Sequence, residues 1–127
     1  MSPMNLATAP VAQIAIRVHD VDRAAQFYQD VLGVPFLFKF PGLAFFQSGQ
    51  IRLMLSRSET AEHDHPSSVL YFKVQGIEET HSALKAKGVD FVDQPHLIHR
   101  APTYELWMTF FKDTEGNTMA IMEEKPV

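Results

Sequence analysis

The chain has 127 residues, 46% of them hydrophobic and 20% charged, with a formal net charge of −4 and no cysteine. That length suits one compact domain, typically about 100 to 200 residues, and the composition excludes a disordered chain. The missing thiols exclude disulfide scaffolds, thiolate zinc sites and cysteine nucleophiles, and the mild acidity argues against nucleic acid or an anionic membrane as partner.

Residues 1–10 read as a tail without the basic and apolar regions of a signal peptide, so a cytoplasmic protein is expected. No run approaches the roughly 18 apolar residues that cross a bilayer. Residues 11–18 alternate Ile14, Ile16 and Val18 with Gln13, Ala15 and Arg17, the period of a half-buried strand. Asp20 can cap a helix from Val21 to Leu32, whose apolar positions recur at helical spacing and which Gly33 ends. Three strands follow at 36–40, 43–48 and 51–56, separated by Pro41-Gly42 and Gly49-Gln50. Residues 57–68 are polar and read as a linker. The pattern then restarts: a strand at 69–74, a helix from about Ile77 to Lys87 closed by Gly88, and further strands ending in NTMAIME after a hairpin turn at 113–116.

The two halves overlay with one gap, matching Val18 to Val74, Val21 to Ile77, Gly33 to Gly88 and Phe36 to Phe91. Residues 11–124 therefore form a single domain built from a β-α-β-β-β module at 11–56, the linker, and a second such module at 69–124. A module of about 60 residues buries only a marginal core alone, so the two should pack together.

RVHDVDRAAQFYQDVLG resembles the V-x-D…F-Y-x-x-x-L-G opening of the vicinal-oxygen-chelate superfamily, and FFKDTEGNTMAIME resembles its closing F-x-D-P-x-G-N hairpin, with Thr114 where proline is usual. The group includes glyoxalase I, extradiol dioxygenases, and bleomycin- and fosfomycin-resistance proteins. The resemblance implies an α+β fold in which tandem βαβββ modules form a curved mixed β-sheet around a cavity, with two helices outside, and a homodimer. It also implies a metal site, in the members that use one, built from one side chain on each of four strands. Those positions fall on Gln13, Met54, Val69 and Ala120. Only the glutamine is a suitable donor for hard divalent ions. A one-residue slip brings in only aliphatic side chains. No metal or other cofactor is expected, and the chain resembles the metal-free branch.

Strand polarity sets Gln13, Ala15 and Arg17 on the concave side with Arg52, Met54 and Ser56, and Val69, Tyr71 and Lys73 with Thr118, Ala120 and Met122. An apolar floor with a few polar groups suits an organic ligand; the plain alternative is a collapsed, filled cavity. Arg17, Arg52 and Lys73 could attract a carboxylate or phosphate. In YELWMTFF (104–111), Leu106, Met108 and Phe110 form the apolar set expected to face the helix. That leaves Glu105 and Trp107 beside the concave site, with Trp107 stacking on a planar ligand, or in a dimer contact. The catalytic candidates are His96, His99 and Glu105. At i, i+3 in a strand the two histidines point to opposite faces unless a bulge intervenes. His63 and His65 fall in the linker, His19 beside the helix cap, and His81 on the apolar side of the second helix.

These residues predict binding of a small aromatic or amphipathic molecule, by sequestration or metal-independent catalysis. The alternative is a metal-dependent lyase, isomerase or dioxygenase of the same superfamily.

Overall fold

The computed structural model describes residues 6–58 and 64–127. The first module runs β1 (Gln13–Val18), α1 (Val21–Gln26), β2 (Phe36–Phe40), β3 (Leu43–Ser48) and β4 (Ile51–Arg57). The second runs β5 (Leu70–Lys73), α2 (Ile77–Ala86), β6 (Asp90–Phe91), β7 (His96–Arg100), β8 (Tyr104–Lys112) and β9 (Thr118–Pro126). Among the described residues no helix is long and apolar enough to cross a membrane.

The chain is α+β, with its strands divided between two mixed sheets. The first has the order β1-β4-β3-β2; the second has the order β5-β9-β8-β6, with β7 also paired to β8. β1 runs parallel to β4 and β5 parallel to β9, while the remaining pairs are antiparallel. Each parallel pair is bridged by its module's helix, which packs on the middle of its own sheet: α1 on β3 and β4, α2 on β8 and β9.

The two helices start differently. The Asp20 carboxylate accepts the Arg23 N–H at 3.0 Å and caps α1. α2 opens at Gly76, whose φ of +80° only glycine adopts freely and whose missing side chain leaves the cap to another element. The Glu123 carboxylate of β9 supplies it, accepting the Gly76 and Ile77 N–H groups at 3.0 and 2.8 Å. The helix expected over 21–32 is α-helical only to Gln26 and continues as a π-helical turn, Phe27–Val31.

One contiguous core lies between helices and sheets, with Ile16, Leu53, Leu55 and Phe46 from the first module and Ile77, Phe111, Met119 and Ile121 from the second. The β8–β9 hairpin tip joins the modules. The buried Asp113 carboxylate accepts from the Tyr28 hydroxyl at 2.8 Å, from the Asn117 side-chain amide at 2.9 Å, and from the Glu115 and Asn117 N–H groups at 2.8 Å each. Glu115 receives the Arg23 guanidinium at 2.8 Å and the N–H groups of His19 and Asp20. Asn117 also donates to the Arg17 carbonyl at 2.8 Å.

Candidate functional site

Residues paired across neighbouring strands project to the same side of a sheet, so the registers define two faces turned away from the helices. On the first, Ala15, Met54, Phe45 and Phe38 form one row, and Arg17, Ser56, Leu43 and Phe40 the next. Phe45 is buried yet stands apart from the core; it is covered by its own face. Its ring stacks on Phe38 at 4.6 Å, Phe40 meets Phe38 at 5.5 Å, and the three form a platform along the edge strand β2. Phe38 is 39% exposed and Phe40 56%. A β-bulge between Phe36 and Phe38 makes this possible. It turns Phe36 inward onto Phe46 at 5.5 Å while the next phenylalanine faces out.

The polar end of this face holds Gln13, Arg52 and Gln47 in one row. The Gln13 amide donates weakly to the Met54 sulfur at 3.8 Å. At the opposite end, where β1 and β4 finish, a cleft of about 860 Å³ is walled by Arg17, Ser56, Leu43, Arg57 and the segment from His65 to Ser68. Asp64 lies beside it, 2.6 Å from His19 Nε2 and 3.8 Å from Arg17 Nε. The His19 hydrogen bond holds the Asp64 carboxyl below its usual range.

The second face is closed by its own side chains. Tyr71 meets Phe110 edge-on at 5.9 Å above Ala120, Met108 pairs with Met122, and Lys73 is tied to Glu124 at 2.7 Å. Here the expected polarity of β8 is reversed. Leu106, Met108 and Phe110 occupy this face, whereas Glu105, Trp107 and Thr109 lie on the helix side with Phe111. Trp107 packs against the core, donates to Glu105 at 3.2 Å and lies under the Lys125 ammonium at 4.6 Å, so it borders no concave site. The reason is that α2 needs the largest rings beneath it: Phe111 packs on Phe91 at 5.4 Å, and Phe91 on His81 at 4.3 Å.

β7 carries a second bulge, between Leu97 and His99. It sets His96 beside Met108 and His99 beside Leu106, on one face rather than two. His96 Nδ1 contacts the Gln94 carbonyl at 2.8 Å; His99 is exposed. Glu105 is tied to Arg100 at 3.6 Å on the other side of the sheet, so the three catalytic candidates form no group. His81 is buried on the inner side of α2, and His63 lies outside the described residues.

A family model described as the Glyoxalase/Bleomycin resistance protein/Dioxygenase superfamily matches residues 11–121. The chain belongs to this superfamily. An uncharacterized protein of Bacillus subtilis (strain 168), YraH, is 28% identical over 123 residues, covering 86% of this chain and 94% of that protein. Among solved structures, a lactoylglutathione lyase from Agrobacterium tumefaciens superposes with a TM-score of 0.71 at 23% identity, covering 92% and 95% of the two chains. A superfamily member from Sphaerobacter thermophilus DSM 20745 superposes with a TM-score of 0.76 at 23% identity, covering 91% and 98%. These likenesses describe the fold.

The two modules place the superfamily's metal positions at matching points. Ala15 pairs with Met54 as Tyr71 pairs with Ala120, which makes Gln13 equivalent to Val69 and Met54 to Ala120. The neighbours one residue along, Ile14, Leu53, Leu55, Leu70 and Ile121, all turn toward the core, so the register admits no slip. An amide, a thioether, an isopropyl and a methyl group do not fit a hard divalent cation. The Gln13 amide is turned toward sulfur, and Ala120 is fully buried.

The residues that sequence reasoning missed are Phe38, Phe40 and Phe45. Their signal was present: FLFKF and LAFFQS flank Pro41-Gly42, and a hairpin with phenylalanines on both arms makes cross-strand aromatic pairs.

Proposed function

We propose that this protein is a metal-independent superfamily member that binds a small aromatic or amphipathic molecule on the open face of its first sheet. The observation that carries the reading is the half-exposed platform of Phe38, Phe40 and Phe45 beside Met54, flanked by guanidinium groups at both ends of the face. Stacked aromatic side chains left in water are costly unless a planar partner covers them. Sequestration and cofactor-free catalysis share this first step. The reading keeps a cytoplasmic homodimer as its setting, with a small molecule and neither nucleic acid nor membrane as ligand.

Binding of a panel of aromatic probes, followed by NMR shifts and calorimetry, tests it. Phe38→Ala and Phe40→Ala should each weaken binding about tenfold, close to the value of one aromatic stacking contact. Trp107→Phe should leave affinity unchanged. A stoichiometric divalent ion in unchelated protein would favour a metal-dependent lyase, isomerase or dioxygenase instead. If the phenylalanine variants leave probe affinity intact but convert a dimer to a monomer, the platform serves a second copy of the chain.

A further inference from the structure

We infer that the cleft at the ends of β1 and β4 is an oxyanion subsite, taking the phosphoryl or carboxylate head of an amphipathic ligand. The head group's site stands on its own residues; placing the ligand's ring on the phenylalanine platform rests on the function proposed above.

The cleft's composition runs against that of the chain. Acidic residues outnumber Lys and Arg by 15 to 11 overall, yet Arg17, Arg57, Ser56, Ser67 and Ser68 line the cleft with no carboxylate among its described lining residues. Arg17 is held in place: its Nε donates to the His65 carbonyl at 3.2 Å and its side chain is only 16% exposed. Asp64 lies 3.8 Å from that nitrogen and offsets part of its charge, but Asp64 is shared with His19. Arg57, at the end of β4 where it pairs with Val18, borders both this cleft and the neighbouring hollow that holds Asp20 and Asp22. Its guanidinium has no hydrogen-bond or ion-pair partner among the described residues, while its backbone N–H is fixed to the Gly42 carbonyl at 3.1 Å. Ser67 Oγ accepts the Arg17 backbone N–H at 2.7 Å, which leaves the hydroxyl its own proton to donate.

A guanidinium fork and converging hydroxyl donors are what a tetrahedral or planar oxyanion needs, and these contacts are charge-assisted. The volume, about 860 Å³, accommodates a head group and more. The cleft also continues into the platform, because Leu43 lines it and pairs with both Ser56 and Phe40. Head and ring sites are therefore contiguous on one face.

Calorimetry on the full chain at low ionic strength with phenyl phosphate, phenylacetate, benzyl alcohol and inorganic phosphate decides the matter. The two ring-bearing anions should bind about tenfold more tightly than the alcohol, the value of one charge-assisted contact. Arg57→Gln should abolish that preference and Arg100→Gln, the same charge change at a distant surface ion pair, should keep it. Phenyl phosphate ahead of phenylacetate assigns a phosphoryl head, and the reverse order a carboxylate. Equal binding of anions and alcohol, or a preference that survives in Arg57→Gln, overturns the subsite and leaves the platform standing. Phosphate binding that depends on Arg57, with no ring compound bound more tightly than phosphate, overturns the platform and leaves the subsite standing. Binding by none of the four overturns both.

Discussion

The two modules share a topology, a register and a helix placement, and they treat their outer faces in opposite ways. In the second, Tyr71 lies across Phe110, two methionines pair, and the lysine and glutamate at the rim neutralise each other. In the first, the matching rows carry Met54, exposed phenylalanines and the arginines Arg17 and Arg52, and they run into a cleft. One repeat is filled in with its own side chains while the other stays open. On the function proposed above, a duplicated fold uses only one of its two faces for binding, and the second becomes support.

The largest effect is expected where the faces are held together. Asp113→Ala would leave the Tyr28 hydroxyl, the Asn117 amide and two backbone N–H groups without their acceptor. Each orphaned buried donor costs about 1–3 kcal/mol, so chemical denaturation should show a loss above about 3 kcal/mol. A smaller loss would mean that the modules are fixed chiefly by their common core.

Second in size is Phe110→Ala, which strips the closed face of the ring under Tyr71. Truncation of a half-buried phenylalanine should cost about 2 kcal/mol. The same variant tests whether that face is merely plugged: if it acquires affinity for aromatic probes, the difference between the modules is one of occupancy and not of shape.

The joint should also shape the pH profile. Burial pushes the Glu115 carboxyl upward, but the His19 N–H, the Arg23 guanidinium and the Asp20 N–H outweigh it and hold it below its ordinary value of 4.5. Its stabilisation is therefore complete above that value and lost as pH falls through the lower folded one. The Tyr28 hydroxyl is moved the other way, above its ordinary 10.0, by burial and then by Asp113. That contribution is present below pH 10 and lost as pH rises. Thermal melts across pH should show Glu115→Gln flattening only the acid limb and Tyr28→Phe only the alkaline one. A common change in both variants would mean the hairpin tip does not titrate as two separate sites.

How far the sequence could be read depended on how one-sided each strand is. β1 alternates cleanly because one side meets the core and the other does not, so period alone puts Gln13, Ala15 and Arg17 on the face away from the helix. β8 carries large apolar groups on both sides, Leu106, Met108 and Phe110 against Trp107 and Phe111, so alternation loses its meaning and does not tell which face meets the helix. The bulges at Leu37 and Ile98 shift parity by one residue without any glycine or proline to mark them. Both the aromatic platform and the shared face of His96 and His99 depend on those shifts. The superfamily motifs were legible because capping and hairpin chemistry use particular residues at particular spacing: Asp20 before α1, then Asp113, Gly116 and Asn117 in the tip.

The smallest change in stability carries the sharpest test of the contrast. Phe40 is 56% exposed, and its ring meets those of its platform neighbours, Phe38 at 5.5 Å and Phe45 at 6.3 Å. Truncating it removes little buried surface, so Phe40→Ala should shift folding stability by no more than about 0.5 kcal/mol, as surface substitutions do. The same variant should lose about tenfold in aromatic-probe affinity, since a stacking contact is worth about 1.4 kcal/mol only when a ring is there to be stacked. Phe110→Ala should show the reverse pattern, a large folding cost and no loss of binding. Two phenylalanines on equivalent faces of equivalent sheets would then separate cleanly, one serving the ligand and the other the fold. If Phe40→Ala costs as much stability as Phe110→Ala, the platform is structural packing, and the first face is no more open than the second.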